Sequence, residues 1–352
     1  MKTKAELIHN VAKFFGCKDN MVQLQPLEIR ESMSSHIEDG PEGSIFRFKL
    51  IADGRTVVVK MKNNSFINNV GETMNYYGSD SFREYYKNGY GLFYTRNSFC
   101  REKYIYTYLD ESLRQFIPHY YGTVDVSEQE CLHIMEDLPI KQYPVDLNNI
   151  VSFLVALHVK YMGDALAARQ MKVNIPDIND YKYGKDLSMI LFDNIQKLHP
   201  TFPIEIIEDL KRFACDSHSV FEQLHTYPRT VCHGDFSIKN LTFLQNRVVV
   251  YDWELSTYNN PEFDLISLMV FYPDKLDDRL VCTIVNRYYQ ELRQKIDLRY
   301  DTNAALFFNI KLLMVSRFHA MMNIAMRVAM PFMNTAVYNW IYLYNYFKTL
   351  VE

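Results

Sequence analysis

Residues 231–254, VCHGDFSIKNLTFLQNRVVVYDWE, constrain this chain more than any other stretch. Leu241–Leu244 and Arg247–Tyr251 are apolar, β-branched runs separated by Gln245-Asn246. Two strand-like runs around a two-residue polar turn predict a tight antiparallel hairpin. Pairing outward from the turn sets Asn240 opposite Tyr251, with Asp252 one step beyond. The Asn240 amide and the Asp252 carboxylate are thereby brought close to the scale of cross-strand neighbours. An amide oxygen beside a carboxylate is a pair of hard ligands suited to Mg²⁺, which leaves coordination positions for substrate phosphates. Asp235 sits on the loop entering the same hairpin, where a carboxylate can accept a proton from a hydroxyl attacking a phosphate. His233, Asp235, Asn240 or Asp252 alone would be an ordinary turn or strand-end residue. Their joint spacing around one hairpin is what points to chemistry.

A second cluster lies earlier. SIFRFKLIAD and RTVVVKMK are β-rich runs joined by the turn signal Asp53-Gly54, which predicts a hairpin over 44–62. Alternation puts Lys60 on one strand face with Val58 and Thr56. A lysine in a central strand needs an anionic partner. The following helix candidate, 98–116, has an apolar face of Phe99, Tyr106, Leu109 and Leu113, with Glu102 in the intervening slot. A glutamate on that face needs a partner as well, so Lys60 and Glu102 are expected to answer each other. The blander alternative is two solvated charges.

The remaining pattern divides the chain in two. A short amphipathic helix is expected over 4–16 and two strands over 119–136, HYYGTVDV and CLHIME. Residues 63–97, rich in Asn, Gly, Ser and Tyr, read as a surface insertion. From about Asp146 the pattern is mainly helical, with breaks near Pro176, Pro200, Pro228, Pro273 and Asp301 and a β segment over 229–252. With 38 Lys plus Arg against 42 Asp plus Glu, the chain lacks the basic balance of a nucleic-acid binder. None of its six cysteines forms a CxxC pair, and a 352-residue chain buries its own core, so reduced thiols and a cytoplasmic setting are expected. Glu6 and Lys13 interrupt any signal-peptide core. Val328–Phe347 has the length of a membrane span and no Asp, Glu, Lys or Arg, but Pro331, three asparagines and four tyrosines favour a buried helix pair. Aromatic content is high, with 26 Tyr, 23 Phe and 2 Trp. Tyr suits half-buried and ligand-facing positions.

HGDFSIKN followed by DWE resembles the catalytic and metal-binding loops of the aminoglycoside phosphotransferase and choline kinase-like family. The order of strand lysine, helix glutamate, HIMEDLP, a helix ending VALH, HGDxxxxN and DWE is similar to that family along nearly the whole chain. NSFCREKYIYTYL and FIPHYYG are most similar to its choline and ecdysteroid kinase-like branch. The resemblance implies an α+β, bilobal, protein-kinase-like fold. A small β-rich N-lobe with one main helix would span 1–138, including the 63–97 insertion. A larger, mostly helical C-lobe, 139–352, would carry the catalytic loop and acceptor site. It further implies ATP and Mg²⁺ as cofactors. Asp235 becomes the catalytic base or hydroxyl-orienting carboxylate, Asn240 and Asp252 the metal ligands, and Lys60, braced by Glu102, the contact to the α- and β-phosphates. Glu136 to Leu138 become the hinge to adenine. His233 becomes a brace of the loop, and Asp264 in NPEFDLISL the helix carboxylate supporting it; a first-turn helix aspartate is the plainer alternative for Asp264.

The pattern departs from the family in two places. SMSSHIEDGPEG stands where a compact Gly-rich loop is expected, and its Glu38, Asp39 and Glu42 would repel phosphates. Ser34, Ser35 or the backbone near Gly43 are therefore the candidates for cradling them. Lys239, just before Asn240, is a candidate for the γ-phosphate or a substrate, against a solvated loop lysine. The expected function is an ATP-dependent kinase of a small-molecule hydroxyl, such as an aminoglycoside, choline-type or other natural-product alcohol. Tyr258, Glu262 and Trp340 are the acceptor-side candidates. The rivals are a kinase of protein side chains and a non-catalytic nucleotide-binding module. No nucleic-acid partner and no membrane span are expected.

Overall fold

The computed structural model describes residues 3–26, 45–63, 98–127, 130–138, 145–244, 247–318 and 331–352. Ser34, Ser35, nearly all of the 63–97 insertion and the Gln245-Asn246 turn fall outside the described residues.

Among the described residues the first part is one antiparallel sheet with two helices. Helix α1 (Lys4–Phe14) starts on a capping box in which Thr3 accepts from the Glu6 amide and Glu6 accepts from the Thr3 amide. Strands β1 (Val22–Gln25), β2 (Ile45–Leu50), β3 (Thr56–Asn63), β4 (Tyr120–Ser127) and β5 (Glu130–Glu136) order as β1-β2-β3-β5-β4. Gly54 takes φ +71° between β2 and β3, so the expected turn needs a residue tolerant of left-handed backbone. Central strand β3 sets Lys60 opposite Ile45 on one side and His133 on the other. Leu7, Val11, Phe48, Val57, Val59, Leu132 and Ile134 form a separate apolar cluster here.

Helix α2 (Ser98–Tyr108) buries Glu102, Ile105 and Tyr106. It is shorter than the 98–116 expectation. Asp110 accepts from the Ser112 amide and starts a new 3₁₀ turn over Glu111–Phe116, since an Asx cap competes with helix continuation. Ile105, Tyr106, Leu109 and Leu113 join the large second core, so α2 bridges the two parts.

The second part is helical: α3 (Leu147–Tyr161), α4 (Ala165–Gln170), α5 (Ile178–Leu198), α6 (Ile204–Cys215), α7 (Ser217–Thr226), α8 (Glu262–Val270), α9 (Asp278–Arg293), α10 (Thr302–Leu313) and α11 (Pro331–Val351). Asp146, Asp164, Asp177, Asp216, Asp277 and Asp301 each cap a helix N-terminus through the side chain. Each such cap is worth about 1 kcal/mol and fixes where its helix begins. Four short strands interrupt the helices: β6 (Thr230–Cys232), β7 (Leu241–Leu244), β8 (Arg247–Val250) and β9 (Thr257–Asn259). β7 and β8 pair from Leu241↔Val250 to Leu244↔Arg247, and the Tyr251 amide donates to the Asn240 carbonyl at 3.1 Å. That is the register expected from the sequence. β6 pairs with β9, a strand too short to be read from alternation. α11 buries Met333, Ala336, Val337, Trp340, Leu343, Tyr344 and Phe347, a helical stripe against the core. No helix among the described residues is long and apolar enough to cross a membrane.

Candidate active site

The β7–β8 hairpin and the loop before it converge with β3 and α2. Lys60 Nζ lies 3.0 Å from Glu102 Oε2 and also pairs with Asp252 Oδ1. Tyr106 donates to the other Glu102 oxygen at 2.9 Å, so the buried carboxylate is satisfied on both sides. Burial alone would strip charge from Lys60, but Asp252 and Glu102 outweigh it and hold its pKa above the ordinary lysine value. Burial likewise opposes ionisation of Asp252, yet Lys60 and Lys62 hold it well below the usual carboxylate range. Removing one partner from such a buried cluster strands the others. Lys60→Met is therefore expected to destabilise the fold by about 3–5 kcal/mol. Lys60→Met/Glu102→Gln should recover part of that loss in urea unfolding, and equal instability of the single and double variants would refute the coupling.

A second ion pair runs parallel to the first. Lys62, two residues along β3, pairs with Glu254, two residues beyond Asp252. Burial and the neighbouring Lys60 push the Lys62 pKa down to about 8, although Glu254 faces it. Arg101, buried beside Glu102, donates to the Glu254 carbonyl and, at 3.1 Å, to that of Lys172. Sequence reasoning missed Lys62, Glu254 and Arg101. The first two were legible as the alternate positions to Lys60 and Asp252.

Asp252 itself has φ 68° and ψ 54°, a left-handed conformation that Asp tolerates better than most residues. Asn240 is buried, and its Nδ2 donates to the Asp235 carbonyl at 2.8 Å, which fixes the amide plane. Lys60 and Tyr106 occupy Glu102, so Asp252, 32% exposed at the side chain, is the carboxylate of this cluster placed to take a further partner. The Asn240 amide oxygen and the Asp252 carboxylate are hard oxygen donors of the kind that fits a divalent cation.

The catalytic-loop candidate is held from beneath. Asp264, near the start of α8, accepts from the His233 amide at 2.6 Å and the Gly234 amide at 2.9 Å. It is thus a clamp on the loop rather than a mere first-turn helix charge. The Asp235 amide donates to His233 Nδ1 at 3.2 Å, so that nitrogen is unprotonated and Nε2–H donates to the Tyr251 carbonyl at 3.0 Å. Burial lowers the His233 pKa, in keeping with a neutral ring. His233 therefore links the two ends of the site. His158, Cys232 and Asp264 also meet in the interior. Burial pushes the Cys232 thiol well up, and both Asp264 oxygens are engaged by amides, so the trio supports the loop through hydrogen bonds.

Asp235 is 7% exposed. Burial raises its pKa, but Arg317, paired with Oδ1, and Lys239, 3.3 Å from Oδ2, pull it below the ordinary value. Arg317 also donates to the Gly234 carbonyl. No local pattern announced Arg317, because its contacts reach back 83 positions to Gly234.

Several expected site residues are corrected. The Glu136 amide is spent on the His119 carbonyl at 2.8 Å, and its carboxylate accepts from the His119 amide at 3.0 Å. Glu136 therefore ties the end of β5 to His119, so neither its amide nor its carboxylate is open to adenine. The acceptor-side candidates fail because all are interior. Tyr258 is 3% exposed with Arg229 over its ring at 5.0 Å. Glu262 is fully buried, accepts from Tyr289 at 2.9 Å and Tyr300 at 2.7 Å, and has its pKa raised by burial. Trp340 donates to the Ile310 carbonyl at 3.0 Å and stacks against Phe202 and Phe318.

The sheet, the bridging helix and the helical body define a bilobal, protein-kinase-like fold. It is similar over 99% of this chain and 96% of the other to choline kinase from Cryptosporidium parvum Iowa II, with a TM-score of 0.54 and 10% identity. Two further solved structures are similar at lower scores. Plasmodium vivax ethanolamine kinase has a TM-score of 0.47 and 12% identity, covering 92% of this chain and 83% of that one. Amicoumacin kinase hAmiN in complex with AMP-PNP, Ca²⁺ and Ami has a TM-score of 0.48 and 11% identity, covering 99% and 97%. Residues 162–298, which contain Asp235, Asn240, Asp252 and Asp264, match the phosphotransferase enzyme family model. No curated protein matches the sequence. The resemblance carried by HGDFSIKN and DWE thus agrees with the family match over residues 162–298, and the likeness to the solved structure extends to the fold.

Proposed function

We propose that the protein is an ATP-dependent kinase that transfers the γ-phosphate to a hydroxyl of a small molecule. The observation that carries this reading is the convergence of the Lys60–Glu102 pair with Asp252 and of Asn240 with Asp235, around one hairpin. In the reaction Asp235 orients the acceptor hydroxyl and takes its proton, while Lys60 and Lys239 counter charge on the phosphates. Asn240 and Asp252 would hold Mg²⁺, which when bound supplies charge neutralisation at the transferring phosphate. Glu102 keeps the Lys60 ammonium in place, and His233 and Asp264 keep the loop in shape. Preorganised charge of this kind is the main source of rate in phosphoryl transfer.

Asp252 and Glu262 support a small acceptor over a protein side chain. Between them lie a 3₁₀ turn over Trp253–Leu255 and the short strand β9, paired with β6, which leaves no room for an activation segment. A binding-only module is the remaining rival. ATP with Mg²⁺ at a hundred times Kd should stabilise the protein by about 2.7 kcal/mol in thermal unfolding. Asp252→Ala should abolish that stabilisation. If ATP with Mg²⁺ leaves the unfolding temperature of the native protein unmoved, the proposed function fails. If binding occurs but mass spectrometry of a metabolite panel detects no phosphorylated alcohol, the binding module is favoured.

A further inference from the structure

Arg317 is the group beside Asp235 that the reaction above does not use. It is 3% exposed and stands in the π-helical turn Met314–Phe318 that continues α10. A π turn inserts extra backbone into a helix and is often found at functional sites. Ser188 donates to the Val315 carbonyl at 3.3 Å and Ser316 to the Leu312 carbonyl at 2.6 Å, so the backbone leading into the arginine is anchored. Its guanidinium carries a permanent positive charge. Among the described residues, Asp235 is the one carboxylate in ion-pair contact with it. Lys239 flanks the other oxygen of Asp235. The adjacent His233 ring is neutral. The nearby acids Asp264 and Glu262 are already engaged by loop amides and tyrosine hydroxyls. The carboxylate is thus bracketed by two cations and has no surplus negative charge to offer.

We propose that Arg317 sets the charge class of the acceptor. The alcohol that reaches Asp235 bears no ammonium next to its reacting hydroxyl and is uncharged or anionic. The inference rests on the kinase reading and on Asp235 as its base. It sets this chain apart from an enzyme of choline, whose fold it shares, since a shared fold does not carry acceptor specificity. Asp235, Arg317 and Lys239 together carry one net positive charge, and a cationic acceptor held about 5–6 Å from it, at an effective dielectric constant of about 20, would bind roughly 10²-fold more weakly than its neutral isostere.

The test compares choline with its uncharged isostere 3,3-dimethylbutan-1-ol, and identifies the products formed from a small-molecule extract with ATP and Mg²⁺. The native protein should favour the isostere by roughly 10²-fold in kcat/KM, and extract products should lack a cation beside the new phosphate. Arg317→Met should shrink the preference at least tenfold with KM for ATP unchanged, a ratio that a merely structural role would not move. Arg317→Lys keeps the charge and should retain the preference, which decides the matter if the Met variant does not fold. Phosphorylation of choline as fast as its isostere, or a preference untouched in Arg317→Met, overturns the inference and leaves the kinase reading standing. No phosphorylated product from any alcohol overturns both.

Discussion

Asp235→Asn is expected to lower kcat by about 10²–10⁴-fold while the nucleotide still binds. The amide preserves shape but cannot take the hydroxyl proton. It also leaves Arg317 facing a neutral side chain, and an unpaired buried charge is costly. The variant should therefore unfold at a lower temperature than the native protein. ATP with Mg²⁺ should nevertheless still raise that temperature, because Lys60, Asn240 and Asp252 are untouched. Single-turnover measurement with labelled ATP checks the first claim and thermal unfolding the second. Turnover above one tenth of the native value would remove Asp235 from its assigned role.

Gly234→Ala is expected to damage both stability and turnover. Gly234 has φ +78°, and a β-carbon there would lie 2.0 Å from the Leu255 carbonyl oxygen and 2.8 Å from its carbon. A left-handed alanine costs about 1–2 kcal/mol before any clash, and forced overpacking adds about 1–3 kcal/mol. The obstacle is backbone, so no flexible side chain can yield. Two restraints would shift with the residue, the amide held by Asp264 and the carbonyl held by Arg317. Loss of phosphoryl transfer together with a clear fall in unfolding temperature is the expected result. A variant that folds and turns over normally would show that the loop is not held as described.

The parts of the site that were legible in the sequence are those fixed by short-range periodicity. The hairpin register follows from apolar runs around a two-residue turn, and with it the adjacency of Asn240, Tyr251 and Asp252. The Lys60–Glu102 pair follows from a period of two on β3 meeting a period of 3.6 on α2. What was not legible depends on distant packing. Arg317 contacts its partners only after the helical body has folded, and the two-amide grip of Asp264 requires α8 to begin against the loop. The aromatic surplus misled for a related reason. A tyrosine on a helix face reads the same whether it lines a pocket or caps a buried acid. Here Tyr106 serves Glu102, Tyr289 and Tyr300 serve Glu262, Tyr344 serves Asp209, and Tyr288 meets His158. Phenol hydroxyls thus partner buried Glu102, Glu262 and His158, while loop amides and Arg317 serve Asp264 and Asp235.

The paired spacing of Lys60 and Lys62 against Asp252 and Glu254 has a consequence for how the site is loaded. The two pairs form rungs of a short electrostatic ladder between the sheet and the turn after β8. In the proposed reaction Lys60 would turn to phosphates and Asp252 would hold the cation, so this is the rung whose partners change. The other rung involves neither and remains to hold the two sides in register. Loading then works as an ion exchange at a fixed spacing. Charge entering the site would then replace charge already there, with the Lys62–Glu254 pair left intact.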